Sequence, residues 1–125
     1  DLKELWSRML FSILISNTDD HLRNHGFLKQ SPNGWSLSPL YDVNPSVDRT
    51  SNLQLNIDEI SSATSIDLAL SVADYFGLSK PEAEKILKQQ ISAISEWKNI
   101  AQHLGIGNAE ISRMNTAFKV NSAKY

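Results

Sequence analysis

From Leu2 to Ile15 the chain carries apolar residues at helical spacing, and at Ser16 that pattern stops. Leu2, Leu5, Trp6, Met9, Leu10, Ile13 and Leu14 recur at the i, i+3, i+4, i+7 positions of an amphipathic helix. Phe11 and Ile15 widen the stripe beyond one face, so the helix belongs to an interior. Ser16, Asn17 and Thr18 are poor helix formers whose side chains compete for backbone groups. The polar stretch Asn17-Thr18-Asp19-Asp20-His21-Leu22-Arg23-Asn24 is therefore expected at the end of a buried rod, which would hold it in a fixed place. It gathers two acids, an imidazole and two amides. The alternative reading is an ordinary solvated turn after a helix.

A hairpin signal then brings the chain back. Gly26–Gln30 and Trp35–Ser38 can pair as short strands. Ser31-Pro32-Asn33-Gly34 between them is a turn signal, with Pro fixing one φ and Asn-Gly tolerating a positive one. A hairpin here would place the residues before Gly26 beside those after Ser38, and so Asp42 beside Asn24. Pro39 and Pro45 bracket Tyr41-Asp42-Val43 and keep it out of a helix.

Beyond Asn44 the signals weaken. Leu53, Leu55 and Ile57 alternate with Gln54 and Asn56, which suggests one short strand in a loop rich in Ser, Asn, Asp and Thr. The last part is helical. Ser65 is a candidate N-cap for a helix carrying Leu68, Ala69, Val72, Ala73 and Phe76, with Gly77 as its stop. Ser79-Lys80-Pro81-Glu82 has capping-box spacing with Pro in the first turn. The stripe Ala83, Ile86, Leu87, Ile91, Ile94, Trp97 comes next and can extend to Leu104 before Gly105. A final helix is expected from about Asn108, with Ile111, Met114, Ala117 and Phe118 inward, and a frayed tail from Asn121. The predicted fold is mainly α with a small β-hairpin, as a single domain over residues 1–125.

Bulk properties exclude several functions. A length of 125 residues fits one domain with a real core. The formal net charge of −2 gives no global basic field for nucleic acid or anionic membrane. There is no cysteine, which removes disulfides, thiolate zinc sites and a cysteine nucleophile, and fits a reducing, cytoplasmic setting. The run Met9–Ile15 is too short to cross a bilayer and lacks signal-peptide flanks. The chain opens without an initiator Met and already in helical periodicity, which suggests a piece of a longer protein.

Asp19, Asn24 and Asp42 read as one site for a metal-bound nucleotide. Phosphoryl transfer needs a carboxylate to orient and deprotonate the attacking hydroxyl, and oxygen ligands for Mg²⁺ on the phosphates. Mg²⁺ is a hard ion that takes one or two carboxylates, an amide oxygen, phosphates and water. The spacing Asp-x4-Asn reproduces the catalytic-loop Asp and metal-binding Asn of protein kinases, and an Asp after a hairpin reproduces their second metal ligand. Asp-x4-Asn alone is a weak signal; the buried helix before it and the hairpin and acid after it add specificity.

These residues resemble a known family. Asn17–Asn24 looks like the catalytic loop of HipA-like serine/threonine kinases, patterned Asn/Ala-Thr-Asp-x-His-x-x-Asn. Leu40-Tyr41-Asp42-Val43 looks like their Tyr-Asp-Val element, which stands where ordinary kinases have Asp-Phe-Gly. The likeness continues in Leu53–Ile57, in Phe76-Gly77-Leu78 with Glu82-Ala83, and in the Trp97 helix, nearly the whole chain.

The resemblance implies the C-terminal portion of a kinase-like large lobe acting with Mg²⁺ and ATP on a protein substrate. Asp19 would be the catalytic base, and Asn24 and Asp42 would hold the metal and its nucleotide. His21 would stand near the transferred phosphate or brace the loop. The phosphate-binding Lys and nucleotide-covering segment of such kinases lie upstream and have no counterpart here. Members resembling HipA are toxins whose partner is a small helix-turn-helix antitoxin.

The competing reading is a helical binding module that docks an antitoxin or another protein, with the acidic site inactive. Remaining side chains are expected to be bland: Asp20 solvated, Arg23 on the surface, His25 and His103 without particular partners. Trp35, Trp97 and Tyr75 are expected in the core. An interface severed from an upstream half would expose apolar surface, with Trp6 and the first helix as candidates.

Overall fold

The computed structural model describes residues 1–32, 34–47 and 65–118. Among them are five α-helices, two short 3₁₀ turns and one two-stranded antiparallel hairpin. Helix α1 spans Leu2–Leu14. A 3₁₀ turn, Leu22–Asn24, leads into strand β1, Phe27–Ser31, and strand β2, Gly34–Leu37. Helices α2 (Ile66–Ser71), α3 (Lys80–Ser95), α4 (Trp97–His103) and α5 (Asn108–Met114) complete the order, with a 3₁₀ turn Ala73–Phe76 after α2. The expected strand Leu53–Ile57, the turn residue Asn33 and the tail from Asn121 lie outside the described residues.

Helix α1 is the centre of the core. Leu10, Ile13 and Leu14 are buried against Ala69, Val72 and Ala73 on one side and Ala83, Leu87 and Ile91 on the other. Gln90 fastens α3 to α1, its Nε2 donating to both Ser7 O at 2.8 Å and Ser7 Oγ at 2.9 Å. Trp6, expected on an exposed face, is 0% exposed. Its indole fills the space against α2, and its Nε1 donates to Ala69 O at 2.8 Å.

That bond also explains a break in α2. The helix expected to run through Phe76 stops at Ser71. A continuing helix would offer Ala69 O to the amide of residue 73, but the Trp6 indole takes that carbonyl. The chain tightens into a 3₁₀ turn and ends at Gly77, φ 72°. The long stripe to Leu104 likewise divides between α3 and α4. Ser95 Oγ donates to Ser92 O at 2.7 Å, and Glu96 N–H turns to Ala93 O at 3.4 Å. Serine back-bonding of this kind competes with the helical ladder.

The start of α3 obeys its sequence closely. Ser79 N–H donates to Glu82 Oε2 at 2.8 Å, and Ser79 Oγ donates to the same oxygen at 2.7 Å. Lys3 reaches Glu82 Oε1 at 2.8 Å. At the other end Phe118 stacks on Trp97, ring centroids 4.2 Å apart, which closes α5 against α4.

The hairpin stands outside this core. Phe27 pairs with Leu37 and Lys29 with Trp35, so these four side chains share a face. Trp35 is 66% exposed, and Phe27 and Leu28 are about half exposed. Tyr75 is 75% exposed at the 3₁₀ turn. Neither Trp35 nor Tyr75 is therefore core: a two-stranded hairpin has no third layer to cover its rings. Trp6 is not part of the exposed apolar surface, but Leu2 of the same helix is 59% exposed, and further exposed apolar residues lie on the hairpin and at Leu22, Ile100 and Leu104. Among the described residues no helix is long and apolar enough to cross a membrane.

Candidate active site

Helix α1 ends in a Schellman closure. Ser16 N–H bonds to Ile13 O at 3.2 Å, and Asn17 N–H reaches back to Ser12 O at 2.8 Å. Such a closure turns on a left-handed residue that is usually Gly. Among the described residues Gly77 and Gly105 serve at two other such closures, with φ of 72° and 79°. Here it is Ser16, φ 56°, buried and with its hydroxyl unpartnered among the described residues. The left-handed conformation costs a non-glycine residue about 1–2 kcal/mol. Strain is thus stored where the polar loop begins.

The other left-handed non-glycine residue among those described is Asp42, φ 57°. The two strained segments are joined directly, because Ser46 N–H donates to Ser16 O at 3.1 Å. The loop that carries Asp19 and the segment that carries Asp42 are therefore one assembly.

The hairpin sets the second junction. Ser38 N–H donates to Gly26 O at 2.8 Å. A Cβ at Gly26 would lie 3.2 Å from Ser38 Oγ, so glycine lets the two chains close. Arg8 fixes the returning chain to α1, donating from Nη1 to Ser38 O at 2.7 Å while Nε meets Glu4 Oε1 at 2.7 Å. Tyr41 OH then donates to Arg23 O at 2.6 Å, and Asn24 Nδ2 donates to Asp42 Oδ2 at 2.9 Å. Residues 23 and 24 face 41 and 42 across the base of the hairpin.

Each part of Asn24 is used. It is buried. Its N–H donates to His21 O at 2.9 Å, and its Oδ1 accepts from His21 N–H at 3.3 Å. The second oxygen of Asp42, Oδ1, accepts from Asn44 Nδ2 at 3.1 Å. Asp19 lines one cavity with Asp42, between Asn17 and Thr18 on one side and Asn44, Pro45 and Ser46 on the other, about 230 Å³ in volume. His21 is half-buried, and its Nδ1 has no partner among the described residues. A larger groove of about 390 Å³ between α2 and α3 lies on other residues and brings no such set together.

The donor set suits a hard cation in type. Among the described residues no three His, Asp or Glu side chains cluster at metal-binding spacing. A cation here would rest on one carboxylate and one amide oxygen, completed by phosphate and water, as Mg²⁺ sites commonly are. The 2.9 Å contact with Asp42 Oδ2 is a hydrogen bond from the amide nitrogen of Asn24, while Asn24 Oδ1 faces His21 N–H. Offering Oδ1 to a cation requires the Asn24 amide to turn over, giving up its bonds to Asp42 and to His21 N–H.

A family model described as the HipA-like C-terminal domain matches residues 1–98. The chain belongs to the HipA-like C-terminal domain family. The match takes in the polar loop, the hairpin, Asp42 and all of α3, and ends as α4 begins. No curated protein matches the chain, and no solved structure does.

Two residues of this HipA-like domain differ from the sequence reading. Asp20 is buried, not solvated, and His25 has a partner: its Nε2–H donates to Asp20 Oδ1 at 2.8 Å. Asn44, which braces Asp42, is a residue that sequence reasoning misses. Its signal is faint, an Asx residue two positions after an acid in a proline-bracketed segment. Arg23 is on the surface, as expected, and contributes its carbonyl rather than its guanidinium. His103 is exposed at the end of α4.

Proposed function

We propose that this domain is the base-and-metal half of an ATP- and Mg²⁺-dependent serine/threonine protein kinase, the C-terminal portion of its large lobe. The observation that carries the reading is the 2.9 Å contact between Asn24 and Asp42, with Asp19 on the same cavity as Asp42. An amide and a carboxylate 18 positions apart are brought into hydrogen-bond contact, with a second acid on the same cavity as the carboxylate. Family membership supports the same reading.

In this account Asp19 accepts the proton of the substrate hydroxyl and aims its oxygen at the γ-phosphate. Asn24 and Asp42 would hold Mg²⁺, which would neutralise phosphate charge when bound. The Schellman closure at Ser16 and its bond to Ser46 fix the distance between the base and the metal-holding acid. His21 either donates toward the transferred phosphate or braces the loop, its backbone being bonded twice to Asn24. Asn44 keeps the Asp42 carboxylate in one orientation. By the family likeness a nucleotide-covering segment and a phosphate-binding Lys complete the site, and without them this domain binds nucleotide weakly or not at all. By the family likeness the partner is a helix-turn-helix antitoxin and the substrate a protein.

The exposed hairpin favours a second reading, a docking module. Phe27 and Trp35 offer a partner protein apolar area that the fold itself leaves uncovered. The two readings separate on Asp19→Asn in the full-length protein. Loss of Mg²⁺-ATP-dependent phosphorylation supports the kinase; full retention removes Asp19 from its role.

A further inference from the structure

The polar loop is closed by two nested sets of hydrogen bonds. The inner set joins His21 to Asn24: Asn24 N–H to His21 O at 2.9 Å, and His21 N–H to Asn24 Oδ1 at 3.3 Å. The outer closure is the side-chain bond from His25 Nε2 to Asp20 Oδ1 at 2.8 Å. Asp20 directly follows Asp19, and His25 directly follows Asn24. The outer bond therefore pins the two points of the backbone that carry the proposed base and the proposed metal amide.

This pair is built into the interior. Its side chains are 3% and 8% exposed. Asp20 Oδ2 and His25 Nδ1 have no other partner among the described residues. A buried polar pair with half its capacity unmet adds little net stability over an apolar pair of the same volume. Its effect is to select one geometry, since among the described residues each side chain has only the other to satisfy it. Three residues of 3₁₀ turn would otherwise be free to unwind between them, because so short a turn has few bonds of its own.

We infer that Asp20 and His25 are positioning residues, a buried latch that holds Asp19 and Asn24 at their working separation. The inference rests on the kinase reading for its catalytic consequence, and on the loop geometry alone for its structural one. Neither residue touches substrate or nucleotide in this role. A displacement of about 1 Å between reacting groups can lower a rate by two orders of magnitude, so loosening the latch acts on turnover more than on binding.

The test uses the full-length protein, with steady-state phosphorylation and amide hydrogen exchange measured on the same variants. His25→Ala is expected to lower kcat about tenfold or more with KM for ATP within about twofold. His25→Gln, whose amide can still donate to Asp20, should regain most of that loss. Exchange of the Asn24 and His25 amides should quicken in His25→Ala while the α3 amides of Leu87 and Ile91 stay as slow as before. If His25→Ala does not fold, the double variant D20A/H25A, which leaves no orphan carboxylate, replaces it.

A folded variant with wild-type kcat, a loss carried by KM, or a loss that His25→Gln does not restore overturns the latch. So does unchanged exchange at Asn24 and His25. Asp19→Asn runs in parallel. If it retains activity, or if the wild type has none, the kinase reading fails and the exchange measurement alone decides on the latch.

Discussion

The amide nitrogen of Asn24 lies 2.9 Å from Oδ2 of Asp42, although a whole hairpin separates them in the chain. Three independent fastenings make that contact. Ser16 and Ser46 join the two segments at one side, Gly26 and Ser38 close the hairpin at the other, and Tyr41 bonds to the carbonyl of Arg23 between them. Removing the Asn24 side chain should therefore cost stability without dismantling the site. Asn24→Ala leaves His21 N–H and one oxygen of Asp42 without their partner, a loss of about 1–3 kcal/mol. Urea denaturation measures it; a change below a few tenths would mean the contact does not persist in solution.

Ser16 occupies a position that glycine fills at two other Schellman closures among the described residues. Ser16→Gly removes left-handed strain of about 1–2 kcal/mol and a buried unpaired hydroxyl, against an entropic cost of roughly 0.5–1 kcal/mol. The variant should be more stable by roughly 1 kcal/mol. Thermal melting would show it, and a lower melting temperature would mean that the hydroxyl has a role the strain argument omits.

Trp6 joins packing and hydrogen bonding in one residue. Trp6→Phe keeps much of the apolar volume but leaves Ala69 O unsatisfied in the interior, at a cost of about 1–3 kcal/mol. The amide of Ala73 could recapture that carbonyl by extending α2. Nuclear magnetic resonance shifts of residues 72–76 moving toward helical values would report this, and shifts fixed at their original values would count against the explanation given for the break.

Glu82 gives a pH prediction with a definite sign. Hydrogen bonds from Lys3 and then Ser79 hold its carboxyl down to about 2, against an ordinary 4.5. A carboxylate depressed in the folded state contributes stability above its unfolded pKa and loses it as pH falls toward the folded one. The advantage of wild type over Glu82→Gln should be constant above about pH 5 and shrink between there and about pH 2. Because the group is exposed, added salt should weaken the effect. An advantage that persists unchanged at pH 2 would contradict the assignment.

What the sequence made legible was local. The stripe of α1, the Ser79-Pro81-Glu82 start of α3, and the glycine stops at Gly77 and Gly105 are each decided within a turn or two of chain. The hairpin was legible too, and with it the approach of Asp42 to Asn24. What escaped reading depended on contacts between distant residues. The break in α2 coincides with a bond from an indole 63 positions away. The burial of Asp20 depends on a 3₁₀ turn that carries His25 back over it. Residue type alone places Trp35 and Tyr75 inward, but apolar type does not decide burial where a hairpin or turn has no layer above it.

The proposed kinase requires Asn24 and Asp42 to grip one divalent ion beside Asp19. The most direct measurement is Mn²⁺ binding, monitored by electron paramagnetic resonance, to the full-length protein with a non-hydrolysable ATP analogue, comparing wild type with Asp42→Asn. That variant keeps a side chain of nearly the same shape and should fold as wild type. The expected result is nucleotide-dependent Mn²⁺ binding in wild type and a loss of affinity of about tenfold or more in the variant. Equal Mn²⁺ affinity in a folded Asp42→Asn, or no nucleotide-dependent binding in wild type, would contradict it.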